Sequence, residues 1–318
     1  MNPINFTKDQ IAQTLTYDQL IPALKKGFQE PYIVPLRHHH NYENKPAADS
    51  TLLLMPAWKS GTYLGVKIVT VSPENGRLNL PSVQGMYLLF DAVTGTPLAQ
   101  MEAKSLTTIR TAAASALAAQ FLSRKDSSSL LMIGTGNMAP ALIEAHASVR
   151  PIREVYVWGR NFEKAKKLVD ELQLPYLNIQ AIESINTIIK EVDIISCATL
   201  SSHPLVKGDW LQPGQHLDLV GSFTPTMREA DDLAIKRASV YVDVMEGATK
   251  ESGDIVIPLQ NGTIQKMDIQ GDLFDLCANR VVGRKRQQEI TLFKSVGHAL
   301  EDLVAATLVY NSFQKTKN

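Results

Sequence analysis

The 318-residue sequence predicts an α/β protein in which a doubly wound parallel sheet is joined to a smaller α+β domain. Two patterns carry the prediction. From about residue 129, apolar runs alternate with helical stretches: SLLMIGTG, MAPALIEAHASV, EVYVWGRN, FEKAKKLVDELQ. Near-continuous apolar strands separated by helices read as a parallel sheet covered on both faces. From Tyr32 to about Gln100 the pattern is instead strands joined by turns, as in TLLLMPAW, YLGVKIVTV, GMYLLFD and AVTGTPLAQ,.

Taken in order, TYDQLIPALKKGFQE spaces its apolar residues as an amphipathic helix does,. With the strands after it, this helix forms a first domain, set at residues 1–118. LTTIRTAAASALAAQFL reads as a helix over about 110–122, because alanine is the best helix former and packs closely,. Thr107 or Thr108 suits its N-cap,. Arg110 then stands at the positive end of a helix, where its forked donor suits a carboxylate or phosphate. The competing reading pairs Arg110 with an Asp or Glu elsewhere in the chain. NIQAIES, DIISCATL, QHLDLVGSF and SVYVDVME continue the parallel sheet of a second domain, residues 119–294. QQEITLFKSVGHALEDLVAATLVYNSF reads as helical, and its end, about 295–318, completes the first domain.

Lys+Arg and Asp+Glu both number 32, so no whole-molecule field draws nucleic acid or an anionic membrane,. GRKRQQ (283–288) reads as a solvated surface stretch. Cys197 and Cys277 make neither a disulfide framework nor a CxxC metal pair,. Neighbouring side chains in the triplet His38–His40 point apart, so a surface position is expected and no metal,. The N-terminus has no apolar signal core, and no run reaches the roughly 18 apolar residues of a membrane span. The expected compartment is the cytoplasm.

GTGNMA (134–139) is a G-x-G-x-x-A turn between an apolar strand and a helix, at the head of a βαβ unit. That context marks a Rossmann-type dinucleotide site. Gly134 permits the tight turn, Gly136 lets a pyrophosphate reach the backbone, Asn137 and Met138 open the helix, and Ala139 lets helix and strand pack. A glycine turn in another kind of doubly wound protein is the alternative. The end of the second strand selects the cofactor; here it reads VWGRN, with Arg160 and Asn161 and no carboxylate. Arg160 therefore points to NADPH, with NADH still accepted, and its alternative is a solvent-facing arginine at a helix start. Cys197 and Thr199, at the end of the fourth strand, are expected to line the nicotinamide ribose.

Together these pieces resemble the ornithine cyclodeaminase/mu-crystallin family over nearly the whole chain. The resemblance runs through GVKIVTV, LPSVQGMYLLFDAVTGTPLAQMEAKSLTTIRTAAASALAAQFLSR, GTGNMA, EGATKESGDI and GHALEDLVAA, and LTxxRTAAAS is its most specific part. It implies a homodimer paired through the first domain. It also implies a substrate carboxylate gripped by an arginine of the first strands, the lysine of a GxK strand and the arginine of LTxxRT. The matching positions are Arg37, Lys67 and Arg110, the last two also catalytic; read alone, Lys67 would be an edge lysine. Deaminases of the family carry an aspartate in GxDxPxK, whereas VGSFTPTMRE puts Phe223 in its place. A phenyl ring neither holds an ammonium group nor moves a proton. The resemblance thus implies an NAD(P)H-dependent reductase of cyclic α-imino acids, taking 1-pyrroline-2-carboxylate to L-proline and 1-piperideine-2-carboxylate to L-pipecolate. Ser222 or Thr224 would add a donor, and His298 and Asp302 would border the nicotinamide. The rival readings are ornithine cyclodeamination, alanine dehydrogenation, and a mu-crystallin-like protein that binds NADPH and a small molecule without turnover.

Overall fold

A computed structural model describes residues 2–45 and 47–317. Its contacts divide the chain into two units, Met1–Arg110 with Ala299–Asn318, and Thr111–His298. The sequence reading put the first change at residue 118; the division falls at Arg110/Thr111, within the same continuous helix.

The first unit begins with a short strand β1 (Ile4–Phe6) and helices α1 (Lys8–Thr14) and α2 (Tyr17–Gly27). Strands β2 (His38–Tyr42), β3 (Ser50–Lys59), β4 (Tyr63–Val71), β5 (Val83–Asp91) and β6 (Pro97–Glu102) follow. They form one sheet in the order β1-β6-β5-β4-β3-β2, antiparallel except for β1 beside β6. Alternation decides what each face does. Met55, Ala57, Lys67, Tyr87, Leu89, Ala99 and Met101 are buried on one face. That face lies under the closing helix Ala299–Lys317, which also packs on α2. Tyr87 is accommodated because Gly65 has no side chain: a Cβ there would stand 1.8 Å from the Tyr87 hydroxyl. The opposite face, with Leu54, Val66, Ile68 and Leu88, is only half-buried. The three histidines make up most of β2, an exposed edge strand.

Helix α3 (Ala103–Leu122) leads into the second unit. There β7 (Ser129–Ile133), α4 (Met138–Val149), β8 (Glu154–Trp158), α5 (Phe162–Glu171) and β9 (Asn178–Ile182) alternate as read from the sequence, and β10 (Ile194–Cys197) and β11 (His216–Leu219) follow with only single short helical turns between the strands. They are followed by α6 (Asp232–Arg237), β12 (Ser239–Val242), α7 (Met245–Glu251), α8 (Gly253–Gln260), β13 (Ile269–Asp272), α9 (Leu273–Cys277) and β14 (Thr291–Lys294). The closing helix of the first unit is then α10. The eight strands are all parallel, in the order β13-β12-β14-β11-β10-β7-β8-β9. The order reverses between β7 and β10, which is the switch point where a doubly wound sheet receives its ligand. Among the described residues no helix is long and apolar enough to cross a membrane.

Three expectations are corrected. Helix α3 starts at Ala103 rather than near residue 110, because the Glu102 carboxylate accepts the amides of Lys104 and Ser105. Arg110 is therefore two turns inside the helix, beyond the first-turn N–H groups that make a helix end attractive to anions. The segment QQEITLFKSV is not helical: TLFK is β14, a central strand between β12 and β11, as its β-branched and aromatic residues favour,. In GRKRQQ, Arg284 is half-buried and donates to the carbonyls of Leu122 and Gln215 and to the Thr291 hydroxyl, so that part of the stretch ties loops together.

Candidate active site

Each unit builds one cluster of chemically capable side chains. In the first, Lys67 lies in β4 opposite Met55 and Tyr87, on the face that α10 covers. It is 3 % exposed, and an ammonium so deeply buried requires a counter-charge,. Asp302, in the first turn of α10, provides one, with Oδ2 2.7 Å from Lys67 Nζ. Its other oxygen, Oδ1, accepts from Arg110 Nε at 2.9 Å, and Glu301 Oε2 accepts from Arg110 Nη1 at 2.5 Å. Thr107, one turn before Arg110, accepts a weak 3.4 Å hydrogen bond from Lys67.

These charges set one another's protonation. Burial pulls Lys67 down and Asp302 pulls it back, leaving it at about 8, so it still carries its proton at neutral pH. Arg110 and Arg37 push it in the same direction as burial does, which puts the half-buried Arg37 within electrostatic reach of the cluster. For Asp302, burial favours the neutral acid, but Arg110 and Lys67 outweigh it and hold the group below the usual carboxylate range. Burial also works against the Arg110 charge, and Asp302 and Glu301 override it. Of the two sequence readings of Arg110, the structure shows the pairing with acids elsewhere in the chain. Arg110 Nη2 donates to none of the described residues.

Sequence reasoning placed Asp302 beside the nicotinamide and passed over Glu301; in the structure both are counter-ions of the first unit. The available signal was ED inside GHALEDLVAA, two carboxylates between core-type Leu300 and Leu303. Buried acids in such a place need buried cations.

In the second unit, GTGNMA forms the turn from β7 into α4. Gly134 has φ of 124°, and a Cβ there would stand 2.5 Å from the Ala198 carbonyl oxygen. Gly136 is exposed, with nothing within 4 Å of where a Cβ would stand. Asn137 makes no side-chain cap, so the first turn of α4, opened by Met138, keeps the donors that a helix start leaves over,. An open approach beside an uncapped helix start fits a pyrophosphate. Arg160 is exposed past the end of β8 and donates to none of the described residues, while the Asn161 side chain caps α5 through the Lys164 amide.

Of the two strand-end residues, Cys197 needs correction. Cys197 is fully buried in the core and its carbonyl accepts from Val220 N, so its thiol does not line a ligand surface. The amide and hydroxyl of Thr199 both donate to Glu229, which the sequence reading did not single out. Ser222 is buried as well, donating to the Met227 carbonyl and bonded to the Ser252 hydroxyl, which removes it as a substrate donor. The Thr224 hydroxyl meets that of Thr226. Phe223 is 48 % exposed.

Comparison with known proteins gives matches over nearly the whole chain. The model of the ornithine cyclodeaminase/mu-crystallin family matches residues 4–317. A Delta(1)-pyrroline-2-carboxylate reductase of Colwellia psychrerythraea is 38% identical, over 94% of this chain and 95% of its own. Among solved structures, the Thermococcus litoralis Delta(1)-pyrroline-2-carboxylate reductase in complex with NADH and L-proline is similar with TM-score 0.92 and 34% identity, covering 99% of this chain and 98% of that one. An archaeal alanine dehydrogenase dimer with bound NAD gives TM-score 0.90 at 29% identity, covering 100% and 98%.

The shared carboxylate makes a direct prediction. Asp302→Ala leaves two buried cations with only Glu301 to offset them, and breaking such a buried pair costs about 3–5 kcal/mol. Urea unfolding should show that loss; a midpoint within error of the parent would mean that the cations find compensation elsewhere.

Proposed function

The chain belongs to the ornithine cyclodeaminase/mu-crystallin family, and from that premise we propose that it is an NAD(P)H-dependent reductase of cyclic α-imino acids. It reduces 1-pyrroline-2-carboxylate to L-proline and 1-piperideine-2-carboxylate to L-pipecolate. The observation that carries the reading is the buried Lys67–Arg110 pair, held by one carboxylate and still offering the Arg110 Nη2 edge. The relatives named as pyrroline-2-carboxylate reductases, and the neighbour whose structure contains NADH and L-proline, support it.

The chemistry follows from where the acid is gripped. In these substrates the C=N carbon bears the carboxylate, so charge-assisted bonds from Arg110 Nη2 and Lys67 Nζ to that carboxylate fix the reacting carbon as well. Arg37 adds positive charge nearby. A bound reduced nicotinamide supplies the hydride. Gly134, Gly136, Asn137 and Met138 would take its pyrophosphate, and Arg160 the extra phosphate of NADPH. The carbon accepts a hydride when the ring nitrogen is protonated, and the product is the cyclic secondary amine. Phe223 favours reduction over the deaminase reading, because an exposed phenyl ring stands where deamination uses a carboxylate,.

Arg110→Lys keeps the charge and loses the planar fork. One charge-assisted contact to a buried carboxylate is worth about 2–4 kcal/mol, so kcat/KM for either imine should fall about 30- to 1000-fold. In the parent enzyme, KM for the imine should rise above about pH 8, since the charged form of Lys67 grips the carboxylate and is lost there. A variant that melts early yet keeps full activity per folded molecule would make Arg110 structural.

The cofactor preference rests on Arg160 and on the missing carboxylate after β8. Arg160→Ala should raise KM for NADPH well above its effect on NADH, and equal effects would remove Arg160 from the 2′-phosphate site.

The half-buried apolar face of the first sheet, carrying Leu54, Val66, Ile68 and Leu88, is assigned to a second copy of the chain. The archaeal neighbour described as a dimer supports this assignment. Light scattering at micromolar concentration should give twice the chain mass of 35.1 kDa, and a monomer there would end the assignment.

A further inference from the structure

The Glu229 carboxylate has no part in the reaction as derived, yet it is fully buried and accepts three hydrogen bonds. Oε1 accepts from Thr199 N at 2.7 Å and Thr199 Oγ1 at 2.8 Å, and Oε2 accepts from Gly221 N at 2.8 Å. Thr199 follows β10 and Gly221 follows β11, so one side chain joins the turns at the carboxyl ends of two neighbouring parallel strands. Its own backbone is pinned on both sides. The amides of Glu229 and Ala230 donate to Asp254 Oδ1 at 2.8 and 3.0 Å, and the Glu229 carbonyl accepts from the amides of Leu205 and Val206. There is no slack at the junction: a Cβ on Gly221 would stand 2.0 Å from the Thr199 carbonyl oxygen and 2.5 Å from Glu229 Oε1.

The location gives this tie a purpose. Strand order reverses between β7 and β10. A dinucleotide bound at such a switch point lays one half over each side of it. With the pyrophosphate turn after β7 and Arg160 after β8, the turns after β10 and β11 receive the nicotinamide half. We propose that Glu229 is a positioning residue for the dinucleotide: it ties the turn after β10 to the turn after β11 and so fixes the surface that takes the nicotinamide half, without touching the cofactor. The proposal rests on the cofactor reading above.

The tie requires the ionised form. Oε1 already receives two donors and Oε2 one, and a protonated acid accepts more weakly and has a proton of its own to place. Burial pushes Glu229 up to about 7, with Lys294 of β14 lowering it and Asp254 of α8 raising it. Lys294 Nζ is 3.8 Å from Asp254 Oδ2 and donates to the Leu219 carbonyl. Cys197 of β10, a further titratable neighbour, has a thiol pushed up by burial and stays neutral. Acidification through pH 7 therefore loosens the tie, and dinucleotide affinity falls with it.

The test is fluorescence titration of NADH into the full-length protein and into Glu229→Gln, over about pH 6 to 8.5, with circular dichroism to confirm folding. NADH avoids the titration of a 2′-phosphate, whose second pKa is about 6. A glutamine must turn an amide N–H towards Thr199 or Gly221, so at pH 8 the variant should bind about tenfold more weakly, some 1.4 kcal/mol. The parent should lose affinity below pH 7, and the variant should give a flat profile. Equal dissociation constants, or parallel pH profiles, overturn the positioning role. If the variant does not fold, the parent titration decides alone, and a flat profile overturns the role. A parent protein that binds neither NADH nor NADPH overturns the cofactor reading itself, and the positioning role with it.

Discussion

The first unit depends on one carboxylate shared between two cations. Lys67 and Arg110 come from β4 and α3, with β5 and β6 between them in the chain, but Asp302 arrives from almost two hundred residues further on. Neither cation could be buried alone, because the desolvation of an unpaired charge costs far more than a typical domain's net stability. With Glu301 included, two positive and two negative groups cancel, and the cluster persists without a ligand. What remains for a ligand is the set of donors the acids do not use, chiefly Arg110 Nη2. A substrate carboxylate bound there, as proposed, would add charge-assisted bonds to side chains whose geometry is already fixed, so little rotamer entropy would be lost on binding. The same requirement explains why the first unit is discontinuous: without α10, Lys67 on the inner face of its sheet and Arg110 of α3 would both be uncompensated.

Much of this was legible in the sequence because the signals were local. Strands β3, β4 and β5 announce themselves by composition and turns. The βαβ unit around GTGNMA is recognisable because strand, glycine turn and helix succeed one another within a few residues. What was illegible depended on distance or on competition between neighbours. The true start of α3 was hidden because Glu102, at the end of a strand, caps the helix that follows. Strand β14 was hidden because a four-residue run gives no period to read and is followed, after Gly297 at φ of 83°, by a long helix,. The pairing of Lys67 and Arg110 with Glu301 and Asp302 has no local signature at all; only the presence of carboxylates among core residues hinted that cations must meet them.

The two units stabilise buried charge in different ways, and the difference bears on how each responds to pH. In the first, opposite charges face each other: Asp302 is held low and Lys67 stays protonated to about pH 8. In the second, Glu229 accepts from two amides and a hydroxyl, and the cation that lowers it most, Lys294, also faces Asp254, whose own charge raises it. Lys294 and the neutral donors together offset burial and the Asp254 charge only in part, so this acid comes to rest near 7 instead of below the carboxylate range,. A carboxylate that needs its charge to hold two turns together, but is buried where charge is poorly supported, is the more easily disturbed of the two. Through neutral pH the cluster proposed for the substrate is therefore the constant part of the machinery, and the ground beneath the proposed cofactor site is the part that yields.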